Sequence, residues 1–233
     1  MMKNLTKILV FLLFAIFLLS GSVANATLLS IAPNYGTYGY IPGDASNELL
    51  PSVYGAGTTE RYGYYGSTVY LTAPASLTFT FLGFEAGYDN DFYLGSTQLF
   101  STEDYGSNIV TSIEDVAGPY EFGPGVFPLE LPFSFDVNNG PGVANGSNPD
   151  DSSGTATNIN FFVSFDGSDT LAMTGNSVVL FLDDAGANND DNHDDMAIRI
   201  VANPVPEPAT MVLLGSGLIG LAALGRKKFL KKS

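Results

Sequence analysis

Apolar and polar residues alternate with a period of two in several short stretches of this chain. Leu77, Phe79 and Phe81 alternate with Thr78 and Thr80, and Leu131, Phe133, Phe135 and Val137 alternate with Pro132, Ser134 and Asp136. Ile159, Phe161, Val163 and Phe165 line one face of a third stretch, and Met196, Ile198 and Ile200 one face of the last. Such alternation is the mark of a half-buried β-strand. Val178 to Leu182 is apolar without interruption, as expected of a strand covered on both faces. Asp91 to Leu94 and Thr97 to Phe100 flank Gly95-Ser96, which reads as a two-residue hairpin. Between the termini no stretch has the helical period. About eight short strands with no crossover helices predict an all-β, antiparallel β-sandwich of jelly-roll-like type rather than a parallel sheet. Asn138 to Thr157, rich in Asn, Gly, Ser, Asp and Pro, reads as a long surface loop.

Both termini carry a different pattern. Lys3 and Lys7 precede an apolar run from Ile8 to Leu19, and Ala24-Asn25-Ala26 follows, an A-x-A site at which signal peptidase would cut after Ala26. An uncleaved membrane anchor is the alternative, but the apolar run is short for one. At the other end Val205-Pro206-Glu207-Pro208 leads into an apolar run from Ala209 to Leu224 and then a basic tail over 226–232. Those sixteen apolar residues make roughly 24 Å of helix, enough to span a bilayer if the flanking lysines snorkel. A buried core helix is the alternative, and the position between a Pro-rich break and five cations argues against it. The chain is therefore expected to divide into a signal peptide (1–26), an exported sandwich domain (27–203) and a C-terminal segment (204–233) that anchors in a membrane through a helix over 209–224.

The joint occurrence of Pro206-Glu207-Pro208, the apolar run and the basic cluster resembles the sorting signal of PEP-CTERM proteins. That resemblance implies export, transient anchoring in the inner membrane, and cutting near the motif by a membrane protease, the exosortase. It further implies a final place at the cell surface or outside the cell, with an association with exopolysaccharide and biofilm.

Charge sharpens the picture once the termini are set aside. Of the nine basic residues only Arg61 and Arg199 fall between Thr27 and Pro206, whereas 23 of the 24 carboxylates do, giving a formal net charge of −21 (2 − 23). Such a surface repels nucleic acid and anionic lipid and attracts cations. The chain has no cysteine, so no disulfide can brace it.

From Asp183 to Asp195 the chain holds six Asp and three Asn in thirteen positions. Hard carboxylate and amide oxygens suit Ca²⁺, and Asp183, Asp184, Asp190, Asn192, Asp194 and Asp195 are its candidate ligands. The spacing is not that of an EF-hand, because Asp195 stands where the turn glycine belongs. The segment resembles instead an acidic strand-loop-strand unit found before the sorting signal in many PEP-CTERM proteins, as does Leu82 to Tyr88, whose continuation Asp89-Asn90-Asp91 supplies further oxygens. A solvated acidic loop is the competing reading. His193, the only histidine, reads as a local salt-bridge partner or plain loop residue. With neither Cys nor a second His, thiol, zinc and most Ser-His-Asp catalysis is disfavoured, and the domain is expected not to be an enzyme.

Eight of the twelve tyrosines lie between Tyr35 and Tyr70. Tyr62, Tyr64 and Tyr65, interleaved with glycine, can present ring faces and hydroxyls to sugars, or can simply be strand residues. Two functions of different class follow: a structural surface or matrix protein, and a carbohydrate-binding module with a Ca²⁺-supported site.

Overall fold

Every alternating stretch becomes a strand in the computed structural model, which describes residues 27–43, 47–152, 158–167, 171–184 and 192–205, with 215, 217 and 218. Numbering strands in chain order, the largest sheet has seven, arranged as β2 (Thr37–Pro42), β3 (Glu60–Tyr65), β12 (Asn160–Phe165), β14 (Ser177–Asp183), β15 (Met196–Pro204), β5 (Ala75–Glu85) and β8 (Ile109–Phe122). All neighbours in it are antiparallel. Two four-stranded sheets complete the fold. One runs β13 (Thr174–Gly175), β1 (Leu29–Ser30), β4 (Tyr70–Leu71), β9 (Leu129–Glu130); the other runs β11 (Val143–Ala144), β10 (Phe133–Val137), β6 (Asn90–Leu94), β7 (Thr97–Ser101). The sandwich is thus unequal: a seven-stranded sheet faces two smaller ones, not the two equal sheets of a jelly roll.

One apolar core lies between them. Leu77, Phe79 and Phe81 of β5 and Phe161, Val163 and Phe165 of β12 point into it, and meet Leu29 and Leu71 from one small sheet and Phe92, Phe133 and Phe135 from the other. Aromatic contacts tie the layers together: Phe161 lies 5.5 Å from Phe133 and 5.7 Å from Phe135, and Phe79 lies 5.7 Å from Phe92. Truncating such a ring to Ala typically costs about 3–5 kcal/mol.

The uninterrupted apolar run has the cause that its pattern implies. Val178, Leu180 and Leu182 of β14 face the main core. Val179 and Phe181 face a second cluster on the outer side of the large sheet, where helix α1 (Leu49–Tyr54) lays Leu49 and Leu50 against them. Gly95, at φ +59°, opens the tight turn between β6 and β7, as the first central position of a type I′ or II′ turn requires.

Three features depart from expectation. The stretch from Asn138 is not all surface loop, because Val143 pairs with Phe135 and Asn145 is buried. Asn145 Nδ2 donates to Val69 O (2.7 Å) and Leu131 O (2.9 Å), and its Oδ1 accepts from Val69 N (2.8 Å), so it bolts one small sheet to the other. The edge strand β8 and helix α1 are both present where no periodic pattern announces them. Among the described residues no helix is long and apolar enough to cross a membrane. The signal peptide with Ala24 and Ala26, and the span over 209–224, lie outside those residues.

Candidate functional site

The acidic segment enters from β14 and leaves into β15, adjacent strands that bring its two ends together. Asp184 N donates to Asp195 Oδ2 at 2.8 Å, and Asp195 N to Leu182 O at 3.2 Å. Asn90, at the start of β6, reaches across from the small sheet and donates through Nδ2 to Asp184 Oδ2 at 2.9 Å. Asn47 Nδ2 donates to Asn192 O at 2.8 Å, and Glu85 N to Asp194 O at 2.8 Å. Asp183, Asp184, Asn192 and Asp194 are buried, which a solvated loop would not require of its ends. Asp195 is half-buried, and Asp190 lies outside the described residues. Among the described residues no three Asp, Glu or His side chains are grouped to hold a metal ion. Both arginines of the domain are engaged away from this end. Arg199 Nε pairs with Asp166 Oδ2 at 3.1 Å, and Arg61 lies 3.9 Å over the Tyr54 ring while donating to Ser164 Oγ at 2.7 Å.

His193 is not a plain loop residue. It is wholly buried at φ +55°, with its ring edge-on to Tyr65 (5.4 Å) and Phe162 (6.1 Å). Its Nε2 lies 2.7 Å from Asn160 Oδ1, and Asn160 Nδ2 donates onward to Asp151 Oδ2 at 3.3 Å. With its amide nitrogen directed at Asp151, Asn160 presents its Oδ1 to His193 Nε2 as an acceptor. The sequence around His193 is all acid, and the packing of its ring against β3 and β12 comes from segments far along the chain.

The tyrosine-rich region forms the antiparallel pair β2–β3 at one edge of the large sheet. Tyr38 is opposite Tyr64, Gly39 opposite Gly63, and Tyr40 opposite Tyr62. Alternation therefore puts Tyr38, Tyr40, Tyr62 and Tyr64 on one face and both glycines on the other. A Cβ on Gly39 would come within 2.6 Å of the Tyr65 ring, and one on Gly63 within 2.3 Å of Val163 O, so glycine is what makes room for the Tyr65 ring and for the close approach of β12 within the same sheet. Tyr64 and Tyr65 are buried, one in each core, and cannot offer faces to a sugar. Tyr62 reaches the surface and donates to Glu60 Oε2 at 2.6 Å, a bond that raises the phenol above its ordinary value. Tyr38 and Tyr40 are 40% and 51% exposed and complete the face. The recurrence of Tyr-Gly-Tyr at 38–40 and 62–64 is the signal by which they are found.

The polypeptide leaves the sheet at Pro204, the last residue of β15, and Val205 is the last residue described before Pro206, Glu207 and Pro208. Residues 204–228 match the family model of the PEP-CTERM protein-sorting motif. The chain carries a PEP-CTERM sorting signal. No curated protein and no solved structure matches it. The PEP-CTERM segment begins where the folded domain ends, so the sorting signal is joined to the last strand of the large sheet with no intervening linker.

Proposed function

We propose that this is a non-enzymatic, exported surface or extracellular-matrix protein, handled by signal peptidase at Ala26 and then by an exosortase, and associated with exopolysaccharide or biofilm. The sorting motif at 204–228 carries this reading, because it specifies export and membrane-anchored sorting independently of what the domain binds. Pro206 and Pro208 lack the backbone N–H that a further ladder bond would need, which disfavours continuation of β15 into the motif. In a host that possesses an exosortase, Glu207→Ala or deletion of 226–233 leaves full-length precursor in the inner membrane. The wild-type chain instead yields a surface or released form lacking Leu213 to Leu230. Intact-mass analysis of that fraction decides the matter, and a surface form that retains the basic tail overturns the reading.

Ca²⁺ binding by the acidic segment is a second reading. The burial of Asp183, Asp184 and Asp194 favours it, since carboxylates taken out of water are stabilised by a cation.

A further inference from the structure

The face of β2–β3 that bears the tyrosines has a definite order. Tyr64, anchored in the core with its hydroxyl donating to Leu171 O at 3.0 Å, touches Tyr38 (5.5 Å between centroids). Tyr38 stacks on Tyr62 at 6.0 Å with ring planes 16° apart, and Tyr62 meets Tyr40 at 5.8 Å. Four rings thus run in file along the β2–β3 pair, from buried Tyr64 past Tyr38 and half-buried Tyr62 to Tyr40, the most exposed of the four. Beside Tyr62 the surface dips into a small cleft whose walls include Glu60, Phe165 and Ala172. A row of aromatic rings held rigid by its own stacking, with hydroxyls and a carboxylate along it, suits a ligand that is apolar on its faces and hydroxylated at its rim.

Charge selects among such ligands. Neither arginine offers a free cation to this face: Arg61 also lines the cleft, but its guanidinium is engaged by Ser164 Oγ, Phe165 O and the Tyr54 ring, and Arg199 is paired with Asp166. The domain carries 23 carboxylates against those two cations, so a uronate or sulfated glycan is repelled. We propose that the tyrosine file on β2–β3 is a binding platform for an uncharged polysaccharide, pyranose faces lying on Tyr38 and Tyr40 and sugar hydroxyls donating to Glu60. This deepens the preceding reading, since it rests on the domain's reaching extracellular polymer. The sorting test reads the fate of the C-terminus and this one reads binding by purified protein, so either can fail alone.

The experiment is native affinity electrophoresis of the full-length chain in a sugar-free detergent, through gels cast with hydroxyethylcellulose, galactomannan or alginate. Retardation by at least one neutral polymer and none by alginate is expected. Tyr38→Ala with Tyr40→Ala should raise the apparent Kd about tenfold, whereas the two Tyr→Phe changes, which keep the rings, should hold it within about threefold. The single Tyr40→Ser variant, at a half-exposed position, should weaken binding in the same direction with an unchanged sheet spectrum and so guards against loss of fold in the double variant. Free migration through both neutral gels, equal retardation by alginate, or indifference to the alanine changes overturns the proposal. So does a concentration-dependent dimer in sedimentation velocity that the alanine changes abolish, because the face would then be occupied by a second copy of the chain.

Discussion

Asp91 of β6 and Asp136 of β10 stand directly opposite one another across an antiparallel pair, on the face of their sheet that looks away from the core. Gln98 Nε2 donates to Asp91 Oδ1 at 3.0 Å. Burial first, and then the charge of Asp91, push the Asp136 carboxyl above the ordinary carboxylate range. A carboxyl raised on folding binds its proton more tightly in the native state. It therefore costs stability at neutral pH and ceases to do so as pH falls through its folded value.

Asp136→Asn should accordingly stabilise the protein at pH 7 by roughly 0.2–1 kcal/mol, the range for cross-strand charge pairs. The advantage should shrink as pH falls through the folded value of the wild-type carboxyl and be nearly gone at about pH 3, below the ordinary Asp value of about 3.9. Urea unfolding of both proteins at the two pH values measures it, and a gain that is constant with pH would mean that charge is not its source.

Gly63 lies so close to β12 that a methyl group there would meet Val163 O at 2.3 Å and the Phe162 ring at 2.7 Å. Gly63→Ala should cost about 1–3 kcal/mol, the usual penalty for overpacking. Gly87→Ala, where a Cβ meets nothing within 4 Å, is the control and should be nearly neutral in the same denaturant titration.

If the acidic segment binds Ca²⁺, about 10 mM ion against a Kd of about 0.1 mM should stabilise the fold by roughly 2.7 kcal/mol and raise Tm by several degrees. Mg²⁺ should do less, because it sheds water reluctantly. Differential scanning calorimetry that gives the same curve in Ca²⁺ and in NaCl of equal ionic strength would remove the metal from the account.

The strands that the sequence discloses are those with one clean face. Leu77, Phe79 and Phe81 alternate because β5 is flanked by partners and buried on one side. Strand β8 escapes notice for the opposite reason. It is the outer edge of the sheet, with Ser112 at φ +70° and Gly118 at φ +113°, and its pairing with β5 shifts register between Leu77 and Phe79 and again between Phe81 and Gly83. Each shift moves the following side chains relative to their partners, so no single period survives along its length. In β2 and β3 the main-core side is taken by tyrosines and the other face by glycines among others, so a pattern of apolar against polar residues has little to record. The acidic segment was legible as composition but not as burial. Asn90, Asn47 and Asn160, which receive its ends and its histidine, lie at distances along the chain that no local spacing encodes.

The attachment of the sorting segment to β15 has a mechanical consequence. This strand is bonded to β14 through Met196–Val201 and to β5 through Ala197–Pro204, antiparallel on both sides. Tension applied to the domain through this C-terminal attachment acts on β15 along the strand. The two ladders then bear load in shear, many hydrogen bonds at once, where a tail hung from an edge strand would let the bonds break singly, each in its turn. The domain is thus joined to its sorting segment through an interior strand of its largest sheet, flanked by partners on both sides.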